Sequence, residues 1–193
     1  MTTQFIEITI LAWIGYNIWR VASAHGNAIE ISAEAIAVSP LQFSYETYMK
    51  VREFYLELST AHKKYDVRES SNKDDDFIDV WETAGFQFVK HRYRIAEIVP
   101  EKRMRLVSEQ SEVTIFGVLR SHTRSEVEFR FGDAPGTTTK LGLTIRIVFP
   151  NRIRQLLARV FFTEFIWQAH AREEMTALAR LIKTRYSSNP VLS

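Results

Sequence analysis

PNRIRQLLARVFFTEFIWQAHAREEMTALARLIKTRY, residues 150–186, reads as one long amphipathic helix behind a proline. Asn151 carries a side-chain oxygen able to cap its first turn. Val160, Phe161, Glu164, Trp167, Ala171, Glu174, Leu178 and Leu181 recur at helical spacing and make one broad stripe. Arg154, Arg172, Glu173, Arg180 and Lys183 make the opposite face, so Glu173 is expected to point to solvent. An apolar stripe of this length needs a second layer to cover it.

The preceding residues supply that layer. Ala28 to Val38 alternates, with Ile29, Ile31, Ala33 and Ala35 on one face. Ser39-Pro40 offers a cap and a first turn for a helix over Leu41 to Ser59. After the polar run Ser70 to Asp76, which lacks the spacing of a calcium loop, the chain reads as strands. These are Phe77 to Thr83, Phe86 to Val99, Met104 to Glu109, Val113 to Leu119, Ser125 to Phe131 and Lys140 to Phe149. Gly132-Asp133-Ala134-Pro135-Gly136 marks a hairpin turn. Short connections between neighbouring strands predict an antiparallel meander. Strand, helix, long antiparallel sheet and one closing helix is the element order of the helix-grip fold. The expected class is α+β, a curved sheet wrapped round the C-terminal helix, with an extra apolar N-terminal helix. By this order the chain resembles the START-like, polyketide-cyclase-like (SRPBCC) superfamily over residues 29–186.

At 193 residues this is one domain, with residues 1–27 as an apolar helical arm, 28–186 as the helix-grip unit and 187–193 as a tail. Lys and Arg number 25 against 23 Asp and Glu, a net charge of +2 that gives nucleic acid no electrostatic footing. The absence of cysteine excludes disulfides, thiolate zinc sites and a cysteine nucleophile. Thirteen Phe, seven Tyr and four Trp supply more aromatic surface than a thin core needs, which predicts an apolar pocket of about 300–1,000 Å³ for a small hydrophobic or aromatic ligand. Several of Trp81, Phe88, Tyr93, Phe129, Phe161 and Trp167 are expected to line it. Phe5 to Ala24 is apolar but lacks the basic start of a signal peptide, and Glu7, Asn17 and Arg20 interrupt it. The expected location is the cytoplasm, with this helix packed on the domain or on a second copy in a homodimer. Membrane association through residues 5–24 is the alternative.

Four residues carry the chemistry. His170 and Glu174 stand one turn apart on one helical face. Glu82 shares strand parity with Ile78 and Val80 and so points inward. His62 leaves the early helix where a pocket rim is expected, with His91 as its rival. A His, Glu, His, Glu set suits zinc or a similar ion. His122 and Tyr48 are candidate catalytic groups, and Tyr93, Trp81, Glu164 and Trp167 candidate substrate contacts. Tyr55 and Tyr65 are further hydrogen-bond candidates. Neutral imidazoles are needed at the ion, so its binding is expected to weaken below about pH 6.

His62, Glu82 and His170-Ala171-Arg172-Glu173-Glu174 resemble, in order and spacing, the zinc ligands of the 2,4-diacetylphloroglucinol and phloretin hydrolases. That resemblance implies hydrolysis of a carbon–carbon bond between an acyl group and a phenolic ring by metal-activated water. The second reading is a non-enzymatic START-like carrier or sensor of a hydrophobic ligand.

Overall fold

The computed structural model describes residues 2–68 and 76–188, apart from the side chains of residues 2 and 3. The polar run is thus seen only at Asp76, and residues 189–193 of the tail lie outside the described residues.

Helix α1 (Thr2–Ser23) precedes strand β1 (Ala28–Ala37). Helix α2 (Leu41–Met49), a 3-10 turn (Val51–Glu53) and a short α3 (Tyr55–Leu58) follow. Strands β2 (His62–Arg68), β3 (Phe77–Ala84), β4 (Gln87–Val99), β5 (Arg103–Ile115), β6 (Leu119–Ala134) and β7 (Thr138–Val148) lead to α4 (Arg152–Val160) and α5 (Thr163–Ser187). The strands form one curved antiparallel sheet in the order β1-β7-β6-β5-β4-β3-β2. Irregular registers at Lys90/Arg94 and Ser108/Ser111 are bulges, which bend strands and increase twist. Alternation does the rest: Ile29, Ile31, Val89, Val127, Phe129, Leu141 and Leu143 point inward and bury against Trp167, Ala171, Met175, Leu178 and Ile182 of α5. This is the expected layer on the expected stripe.

Four local expectations are corrected. Ser39 does not cap α2; its hydroxyl bonds Ser44 Oγ at 2.6 Å, and Pro40 occupies the cap position. The early helix is broken after Met49, and the break lets the adjacent Phe54 and Tyr55 both be buried. Residues 103–115 form one strand, not two. The closing helix also divides, between α4 and α5. The Phe161 carbonyl accepts from Gln87 Nε2 at 2.9 Å, and Phe162 turns to φ 57, stacking on Trp13 at 4.8 Å. Asn151 does cap α4, its side chain accepting from Arg154 N at 2.9 Å.

Helix α1 is anchored on this corner. Trp13 Nε1 donates to the Val160 carbonyl at 3.0 Å, and Arg20 pairs with Glu164 at 2.8 Å. No described helix is long and apolar enough to cross a membrane.

Candidate metal centre

His62 opens β2 directly opposite Glu82 of β3. The register shifts immediately after it, between His62 and Lys64, so the ladder leaves His62 buried while Lys63 is exposed. His170 and Glu174 come from α5, which lies across the same interior. All four are buried, and their ligand atoms lie within 4.8 Å of one another. His62 Nε2 stands 3.4 Å from Glu82 Oε1 and 3.9 Å from Glu174 Oε2. His170 Nε2 stands 3.7 Å and 4.0 Å from the same two oxygens.

The outer side of each imidazole fixes its tautomer. His62 Nδ1 donates to the Tyr55 carbonyl at 2.6 Å. The Ser59 hydroxyl donates to Glu173 Oε1 at 3.0 Å, so toward His170 Nδ1, 3.4 Å away, Ser59 Oγ is the acceptor. In its neutral form each ring therefore keeps its N–H outside and presents a bare Nε2 inside. Both Nε2 atoms are buried without a hydrogen-bond partner. A buried acceptor left unpaired costs about 1–3 kcal/mol, and here two converge on two carboxylates. This donor set fits a divalent cation. Ligands about 2 Å from a tetrahedral zinc lie roughly 3.3 Å apart, and the four nitrogen–oxygen gaps exceed that by less than about an ångström.

The carboxylates are held at opposite ends of their range. Burial pushes Glu174 up to about 8, helped by the charge of Glu82. Burial also opposes ionisation of Glu82, but the neighbouring His170, His62 and His91 outweigh it and hold it at about 2. Tyr55 donates a short hydrogen bond to Glu82 Oε1 and stacks on His62 at 3.9 Å. Burial pushes His62 below the usual imidazole range. Burial acts on His170 in the same direction, but the two carboxylates outweigh it and raise that ring.

Glu82 and Glu174 form part of the wall of an apolar cavity, with Tyr48, Tyr55, Tyr65, Tyr93, His91, Phe129 and Trp167 among its other sides. The cavity volume is about 60 Å³. The interior is thus narrower than the sequence suggests, and side chains must move to admit a bulky ligand. His91, the rival ligand by sequence, stands outside the cluster, its Nδ1 on Ser111 Oγ at 2.7 Å. The Ser111 hydroxyl donates onward to Ser108 at 2.9 Å, so His91 Nδ1 is the donor and Nε2 the acceptor. Burial depresses His91 to about 4, which leaves it neutral.

Three expected roles are displaced. His122 is exposed opposite Glu112, with the inward Thr123 beside it. Trp81 lies on the outer face, its ring against Lys64 and Lys90 at 5.0 and 5.1 Å. Glu164 is taken by Arg20 and Arg159. Of the six aromatic candidates for the lining, Tyr93, Phe129 and Trp167 line the cavity. Glu173 is exposed, as expected, and its carboxylate also accepts from the Ser59 hydroxyl at 3.0 Å.

No protein-family profile matches this chain, and no curated protein does. Solved structures do. A protein of Thermus thermophilus is 17% identical over 83% of this chain and 100% of its own, with a TM-score of 0.62. The ZhuI aromatase/cyclase of Streptomyces sp. R1128 is 11% identical over 82% of this chain and 95% of its own, at 0.55. Ara h 8.0201 is 11% identical over 81% and 99%, at 0.52. The fold is helix-grip. At such identities the likeness establishes the architecture alone, and function has to be argued from the side chains of the site.

Proposed function

We propose that this protein is a metal-dependent hydrolase, with His62, Glu82, His170 and Glu174 holding one divalent ion, most simply zinc. The observation that carries this reading is the pair of buried imidazoles with occupied Nδ1 and orphaned Nε2, facing two carboxylates at the cavity wall. When bound, such an ion supplies Lewis acidity and makes hydroxide available near neutral pH.

The chain's own residues define what enters. The wall is aliphatic and aromatic, with hydroxyls from Tyr48, Tyr65 and Tyr93, so a small aromatic or hydrophobic ketone fits its chemistry. Burial pushes Tyr48 and Tyr93 well above their ordinary range, so both remain hydrogen-bond donors to a carbonyl or phenolic oxygen. His91, neutral and with a bare Nε2, is suited to accept a hydrogen bond from a phenolic hydroxyl. The order His62, Glu82, His170-x-x-x-Glu174, which resembles the phloretin hydrolases, supports cleavage of an aryl–acyl carbon–carbon bond. In that reaction water divides between the products: the acyl carbon gains hydroxyl and the ring carbon gains the proton.

Elemental analysis by plasma mass spectrometry tests the centre. One ion per chain is expected in the purified protein and none in His170→Ala or Glu174→Ala. Arg172→Ala, exposed on the opposite face of α5, should keep it. Turnover of an acyl phenol should be lost in the same two variants. Full metal content in His170→Ala would remove the centre and leave the cavity as a hydrophobic-ligand site in a carrier.

A further inference from the structure

Helix α1 presents an apolar surface that nothing among the described residues covers. Phe5, Ile6, Ile8, Ile10 and Leu11 are all more than half exposed. At about 100° per residue these five side chains point to every side of the helix axis. A second copy docked in an isologous pair covers one stripe of a helix. An all-round apolar surface calls instead for an apolar medium.

The order of residues along the chain matches the layers of a lipid leaflet. After Thr2, Thr3 and Gln4 comes the stretch 5–11, apolar but for Glu7 and Thr9. Trp13, Tyr16 and Trp19 follow within two turns, the residue types that favour the membrane–water boundary. Phe162, stacked on Trp13, and Phe165 are exposed at that corner, Phe165 at 73%. Basic groups come next. Arg152 reaches the Ala24 carbonyl at the end of α1, and Arg154 reaches the Arg120 carbonyl. None of Arg120, Arg152 and Arg154 has an acidic partner among the described residues, whereas Arg20 is neutralised by Glu164. Exposed Ile153 sits between the last two arginines.

We propose that this corner docks on an anionic lipid surface, with the first turns of α1 dipping into one leaflet and Arg120, Arg152 and Arg154 meeting the head groups. Gln4 and Glu7 are the polar groups of this segment and keep the entry shallow and tilted. Seven residues from Phe5 to Leu11 rise about 10 Å, enough for part of one leaflet and too little for a crossing. Thr9 already satisfies its hydroxyl on the Phe5 carbonyl at 2.8 Å, so it adds little cost there.

Co-sedimentation of the full chain with vesicles of equal phosphatidylcholine and phosphatidylglycerol tests this. Binding is expected, weaker on phosphatidylcholine alone and weakened by salt, with a blue shift of tryptophan emission. Ile6→Gln with Ile10→Gln should lower partitioning by at least about tenfold while the circular dichroism spectrum and melting temperature hold. Arg152→Gln with Arg154→Gln should weaken binding to phosphatidylglycerol vesicles by roughly tenfold and leave phosphatidylcholine binding unchanged. A chain that ignores both vesicles overturns the proposal. So does a dimer in vesicle-free buffer that Ile6→Gln with Ile10→Gln dissociates, since the apolar helix would then belong to a second copy.

Discussion

Across the β2–β3 ladder His62 stands opposite Glu82, with Nε2 3.4 Å from Oε1. Two neighbouring strands thus deliver a nitrogen and an oxygen ligand at one level. α5 adds a second nitrogen and oxygen one turn apart, and the four-way arrangement needs no loop to hold it. Sites built on strands and helices are better fixed than sites on loops.

Metal uptake should release protons. In the metal-free protein Glu174 keeps its proton up to about 8, and coordination requires the carboxylate. Apparent affinity should therefore rise with pH until about 8 and level off above it. This moves the transition upward from the pH 6 expected of histidines, because burial lowers His62 and raises Glu174. Calorimetric titration in buffers of different ionisation enthalpy measures the proton count. A pH-independent affinity between 6 and 8 would contradict the role of Glu174.

Ser59 and Glu173 should matter to a centre they do not enter. Ser59 Oγ accepts from the Ala61 amide at 3.1 Å and donates to Glu173, which fixes its lone pair toward His170. Outer partners of ligating histidines change metal affinity by about 10–100-fold. Glu173→Ala and Ser59→Ala should each weaken binding by roughly tenfold, read by competition with a chelating dye, with stoichiometry retained at saturating metal. Glu173→Gln should recover most of the loss, since its carbonyl still accepts from Ser59.

His91 should limit stability in acid. In the fold it takes a proton only near 4, because of burial, whereas unfolded it does so near 6.5. Between those values the unfolded chain binds more protons, so stability is full above 6.5 and falls as pH drops toward 4. The loss from this group is on the order of 3 kcal/mol. His91→Gln, able to keep a bond to Ser111, should flatten the fall in urea midpoint between neutral pH and about 4.5. An unchanged slope would assign the acid sensitivity elsewhere.

Metal should raise the melting temperature. Without it the orphaned Nε2 atoms and the crowded carboxylates are a native-state cost, and the unfolded chain has no such site. At an ion concentration about 100-fold above Kd, binding adds roughly 2.7 kcal/mol. A chelator should reverse the shift in the native protein and have no effect on His62→Ala.

Alternation and helical spacing carried much of this in the sequence itself. Glu82 faces inward because Ile78 and Val80 do, and His170 and Glu174 share a face because four residues make one turn. The same parity shows why Trp81, beside Glu82, had to face outward, and why His122, beside Thr123, did too. What local pattern could not supply was the partner of each group. β2, His62-Lys63-Lys64-Tyr65-Asp66-Val67-Arg68, has no alternation to mark it and is a strand because β3 offers it hydrogen bonds. The break before α5 has neither glycine nor proline, and it exists where Gln87, 74 residues away, takes the Phe161 carbonyl and Trp13 takes the Phe162 ring. Glu164 is drawn away from the cavity by Arg20 and Arg159, and Glu173, though exposed, is tied to the site's edge by Ser59. Sequence periodicity fixes which way a side chain points, because it is a property of one element; which atoms it meets is settled only when elements distant in the chain pack together.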